Sequence, residues 1–151
     1  MSASRQFLAV LASVILGGAS TATVAESVGD CPLTDQEFVS QLSAMNDWKT
    51  IYAVFKRNLP ACPDDGMFAE GYSDVVVRAF AKRWSQVREL QALTTRDPVF
   101  RTFVLRHIDA TADPKELNQT LRNAKARCPA GANLLCKEIV ANATAAIKEM
   151  Q

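Results

Sequence analysis

His107 is the one histidine in the chain. It is therefore the one side chain that titrates near neutrality without help from its surroundings. A hydrolytic triad would need it as general base, with a serine or cysteine nucleophile beside it and a carboxylate behind it. It falls instead among Phe100, Phe103, Val104 and Ile108, at the three-to-four spacing of a helix's apolar face. That position predicts a partly buried imidazole bonded to a backbone carbonyl, to Asp109 or to Asp113. No G-x-S-x-G, H-E-x-x-H, P-loop or G-x-G-x-x-G pattern occurs.

Asp64, Asp65, Glu70 and Asp74 are the second candidate for chemistry. Glu70 and Asp74 are one helical turn apart and share a face. Paired carboxylates can act as acid and base on a glycan or hold a hard cation. A plainer account puts Asp64 and Asp65 at a helix N-terminus, against its dipole. Glu70 and Asp74 then form a solvated face, with Asp74 pairing with Arg78. Asp64-Asp65-Gly66 lacks the remaining positions of an EF-hand loop. These four acids are assigned as the candidate binding residues, a patch for docking another protein. Arg78, Lys82, Arg83 and Arg88 surround Trp84, a mixture that can mark nucleic-acid sites. Here it reads as a solvated helix edge with Trp84 in the core, and no nucleic acid is expected as partner.

The cysteines are Cys31, Cys62, Cys128 and Cys136. Neither a C-x-x-C spacing nor helper histidines accompany them, which argues against zinc; no metal and no cofactor are expected. Cys128 falls on the apolar stripe of Leu117, Leu121 and Ala124, and Cys136 heads the stripe of the next helix. Pro129-Ala130-Gly131 turns between them, so a Cys128–Cys136 bridge closes a hairpin. Cys31 and Cys62 flank residues 34–59. As one continuous helix these would span about 38 Å, far beyond disulfide reach. A break at Asn46-Asp47 returns both cysteines to the same end, so the Cys31–Cys62 bridge and the break stand or fall together.

The elements that position these residues read as helices throughout. Thr34 and Glu37 form a capping box before Phe38, Leu42 and Met45. Asp47 caps the stripe Trp48, Ile51, Tyr52, Phe55 and Leu59, which Pro60 and Pro63 end. A long helix from Asp64-Asp65-Gly66 carries Phe68, Tyr72, Val75, Val76, Ala79 and Phe80, and a short one runs from about Ser85 to Leu93. Asp97-Pro98 and Asp113-Pro114 each place a cap before proline at the first helical position. The last helix carries Cys136, Ile139, Val140, Ala143, Ile147 and Met150. The expected fold is all-α: one domain of six or seven short helices, packed as antiparallel hairpins with two disulfides. The two Asp-Pro starts hint at a hairpin array, yet no sequence repeat supports one.

Arg5, the apolar run Phe7–Ala19 and the small residues of Thr23-Val24-Ala25 form a signal-peptide pattern. Residues 1–25 are accordingly expected to be a signal, with a cut before Glu26 and a single domain over 26–151. The apolar run is too short to span a bilayer, and no membrane insertion is expected after the cut. An even cysteine count suits an oxidising compartment. Formal charge is +1 over the whole chain, which argues against nonspecific nucleic-acid binding. Residues 26–75 nevertheless carry nine acids and three bases, and residues 76–151 thirteen bases and seven acids. Such halves either neutralise each other within the fold or present a dipolar surface to a charged partner.

The stretch from Asp64 to Cys136, with DDGMFAEGYSDVVVRAFAKRW, DPVFRTFVLRHIDATADPKEL and RCPAGANLLC, resembles small exported helical proteins of proteobacteria. In format the chain is similar to the amidase immunity proteins of type VI secretion systems, which share a signal peptide, a compact helical domain and cysteines. The similarity carries over no motif residue by residue. It implies a periplasmic or secreted, non-enzymatic protein that binds another protein, an inhibitor or immunity partner of a cell-wall enzyme or toxin. The alternatives are an adaptor subunit of an envelope complex and a small glycan hydrolase.

Overall fold

A computed structural model describes residues 31–59 and 61–151; the signal pattern and the expected cut before Glu26 lie outside them. Among the described residues there are seven α-helices and no strand. These are α1 (Asp35–Ala44), α2 (Trp48–Asn58), α3 (Gly66–Lys82), α4 (Val87–Arg96), α5 (Pro98–Arg106), α6 (Pro114–Ala126) and α7 (Asn133–Glu149); a 3₁₀ turn, Trp84–Gln86, leads into α4. None is long and apolar enough to cross a membrane.

The helix starts follow local chemistry. Thr34 accepts from the Glu37 N–H while the Glu37 carboxylate accepts from the Thr34 N–H, a complete capping box. Asp47, Asp97 and Asp113 cap α2, α5 and α6 through their side chains. Asp65 occupies the N-cap position of α3 but makes no side-chain cap bond.

The break at Asn46-Asp47 is real, and Cys31 bonds Cys62 with the two Cα atoms 4.4 Å apart. Helices α1 and α2 therefore form a closed hairpin. The Cys128–Cys136 bridge closes the second, between α6 and α7. Helix α6 ends at Ala126, so Cys128 lies just past its cap rather than on its stripe. Gly131 takes φ +86° in the intervening turn, a conformation glycine adopts without steric cost.

Helix α3 is central: α1, α2 and α6 pack on it, while α6 also pairs with α7 and α4 with α5. Its apolar face is joined by Phe38, Trp48, Phe100, Leu117, Leu135 and Ile139, all essentially fully buried. Polar side chains stitch this core. Asn123 of α6 donates to the Phe80 and Ala81 carbonyls, and Thr120 to the Val77 carbonyl. The Trp84 indole N–H donates to the Arg127 carbonyl at 2.7 Å.

Gly71 lets α1 approach α3. A Cβ there would lie 2.7 Å from Leu42 Cδ1 and 2.8 Å from Phe38 Cε1. Leu42 is only partly buried, but the Phe38 ring is wholly buried against Phe68 and Tyr72. Alanine gains about 1 kcal/mol of helix propensity, and overpacking costs about 1–3 kcal/mol. Gly71→Ala is therefore expected to lower Tm by a few degrees; an unchanged or higher Tm would show that α1 shifts freely.

Candidate functional site

The fold gathers Asp64, Ser73, Arg106, His107 and Asp109 into one cluster. Ser73 comes from the buried face of α3 and His107 from the C-cap of α5. Asp109 follows in the next turn, and Asp64 arrives on the loop between α2 and α3. His107 is 1 % exposed and Ser73 fully buried, so the imidazole lies deeper than the sequence implied. The rings of Phe103 and Tyr72 meet it at 4.5 and 5.6 Å.

Ser73 Oγ lies 2.7 Å from Asp109 Oδ2, 3.0 Å from the Ala69 carbonyl and 3.1 Å from His107 Nδ1. Its single proton has three acceptors, and the shortest contact is to the charged one. With Ser73 donating to Asp109, the 3.1 Å contact is a hydrogen bond only for the tautomer that carries its proton on Nδ1. Nε2 is then a lone pair. It lies 3.0 Å from Asp64 Oδ1 without hydrogen-bond geometry. The Asp64 carboxylate is instead neutralised by Arg106.

Burial pushes the His107 pKa down to about 4, and the Arg106 guanidinium adds to the fall; Asp109 and the Ala69 carbonyl oppose it. Asp109 suffers burial too, but hydrogen bonds from Thr111 and Ser73 outweigh it and hold the carboxyl below its usual value. The cluster contains the residue types of a serine hydrolase, but the shortest contact of Ser73 is to the Asp109 carboxylate rather than to the imidazole. The arrangement joins α3, the end of α5 and the α2–α3 loop.

Of the four assigned acids, Asp65, Glu70 and Asp74 lie on α3 or at its N-cap, and Asp64 precedes them on the loop. Asp64 is turned inward, its side chain 12 % exposed. Asp65 and Glu70 are exposed, and Asp74 pairs with Arg78 one turn on. Among the described residues no three His, Cys, Asp or Glu side chains converge as metal ligands. In the basic stretch Trp84 is buried, and Lys82 pairs with Glu116.

A feature barely legible in the residue pattern lies between the end of α2 and the start of α5. Two adjoining concavities of about 320 and 310 Å³ share Leu59 and Val99 as walls. Pro98 and Phe103 complete one, and Phe55 the other. Val99 is 67 % exposed, the most exposed large apolar side chain described. Its off-stripe position in α5 was the available signal. No protein-family model, curated protein or solved structure matches this chain.

Proposed function

We propose that this chain is a periplasmic protein-binding protein, an inhibitor or immunity-type partner of a cell-wall enzyme or delivered toxin. The observation that carries the reading is the open apolar groove around Val99. A concave apolar surface left to solvent is the ordinary mark of a contact site. Two disulfides suit an oxidising compartment. The same groove supports a second reading, an adaptor subunit of an envelope complex.

Asp65, Glu70 and the half-exposed Asp74 are the competing contact surface. The test is co-purification with the product of the adjacent gene, followed by a peptidoglycan-hydrolysis assay of that product. A stoichiometric complex that loses hydrolysis supports inhibition, and one that retains it supports the adaptor. Val99→Glu is expected to abolish the complex; the Asp65→Lys, Glu70→Lys, Asp74→Lys triple variant is expected to slow association several-fold at low salt. Peptidoglycan cleavage by the purified chain alone would overturn the reading.

A further inference from the structure

We propose that the groove between α2 and α5 receives an apolar side chain of the partner protein that is flanked on both sides by carboxylates. This rests on the protein-binding reading above and names the chemistry of the partner segment. The floor is apolar, from Leu59, Phe55 and Phe103, and each concavity is bordered by one ion pair. Lys56 meets Asp97 at 3.4 Å, and Arg106 meets Asp64.

Both pairs are oriented alike. The Lys56 side chain is 58 % exposed against 13 % for Asp97, and that of Arg106 is 56 % exposed against 12 % for Asp64. In each pair the acid is the inward member. Asp97 accepts from the Tyr52 hydroxyl and from the Val99 and Phe100 N–H groups, and the Phe100 N–H above all, with the Tyr52 hydroxyl and the Lys56 ammonium, holds its carboxyl below the usual range despite burial. Asp64 lies against His107. In each pair the cation is the solvent-facing member. An incoming segment therefore meets an apolar slot with a positive group at each border. A basic flank would be repelled at both, and an acidic one attracted.

The test uses the oxidised full-length mature protein as bait for a random displayed-peptide library. The recovered peptides are expected to share an aliphatic or aromatic residue with Asp or Glu on both sides. A labelled synthetic copy is expected to bind saturably in fluorescence anisotropy, more weakly as salt rises. Val99→Glu places a carboxylate in the slot and is expected to weaken that binding at least tenfold. The position is exposed and in the first turn of α5, where an acid suits the helix dipole, so the variant should still melt cooperatively. Lys56→Gln is expected to weaken binding several-fold and to flatten the salt dependence.

Recovery of no common motif, a motif with basic flanks, or peptide binding indifferent to Val99→Glu would overturn the proposal. So would a concentration-dependent dimer of the chain that Val99→Glu dissolves, since the occupant would then be a second copy. A natural partner held equally well by wild type and Val99→Glu would sink this inference and leave the protein-binding reading standing. An adjacent-gene product that does not bind while the peptide motif holds would sink the immunity-partner reading and leave this inference standing.

Discussion

Between pH 6.5 and pH 4 the folded protein is expected to lose on the order of 3 kcal/mol of stability, and His107→Gln is expected to remove most of that loss. In the unfolded chain the imidazole titrates near 6.5; in the fold its pKa is held down to about 4, chiefly by burial. Below pH 6.5 the unfolded state therefore binds a proton that the folded state refuses. Stability falls at up to about 1.4 kcal/mol per pH unit until the folded imidazole is itself protonated. The carboxylates held low, Glu37, Asp47, Asp97 and Asp109, contribute stability that is present above about pH 4 and lost as pH falls through their depressed values. The two windows are separate. Glutamine fills similar space and retains a group able to bond Ser73, so the variant should fold. Urea melts of both proteins at pH 7, 6, 5 and 4.5 decide the matter. A wild-type curve that rises toward pH 5 would mean that Asp64 draws the proton onto Nε2 despite Arg106, and a variant with the wild-type slope would place the titration elsewhere.

Replacing Cys31 and Cys62 together by alanine is expected to destabilise the oxidised protein by about 4 kcal/mol, and replacing Cys128 and Cys136 by about 2.5 kcal/mol. In the chain-entropy account a bridge acts by restricting the unfolded chain, more so for a longer loop. The sequence separations are 31 and 8 residues. The first bridge is also the only covalent link that closes α1 onto α2, and α1 otherwise rests on α3 through Phe38 and Leu42. Denaturant melts of the two double variants give the comparison directly. A larger loss from the Cys128–Cys136 pair would mean that native packing, rather than loop closure, sets the effect.

What the sequence disclosed is what neighbouring residues decide among themselves. Thr34 with Glu37, and Asp97 and Asp113 before their prolines, place three helix starts by local hydrogen bonding. The spacing of Trp48, Ile51 and Phe55 gives the buried face of α2. Both disulfides follow from the hairpins those elements build. The cluster was less legible. Asp64 reads as a cap, and only the arrival of Arg106 and His107 from α5 turns it inward. Ser73 sits on the apolar face of α3 between Tyr72 and Val76, and Thr120 and Asn123 sit likewise on α6. A polar residue on an apolar stripe is the available signal that such a side chain bonds across a helix interface. Its partner lies dozens of residues away and is not written locally. The groove around Val99 depends on how the end of α2 meets the start of α5, which no single helix specifies.

The two bridges are consecutive along the chain, neither nested nor crossed. Four cysteines allow three pairings. For a chain delivered N-terminus first into an oxidising space, this is the pairing in which each cysteine bonds the next one to emerge. Cys62 reaches Cys31 long before Cys128 exists to compete, and Cys136 follows Cys128 within a few residues. An oxidant acting on whatever has already emerged therefore yields the native connectivity by order of arrival. Maturation by this route calls for an oxidase and not for a disulfide isomerase, and delayed oxidation of the fully delivered chain is the circumstance in which mispaired forms would accumulate.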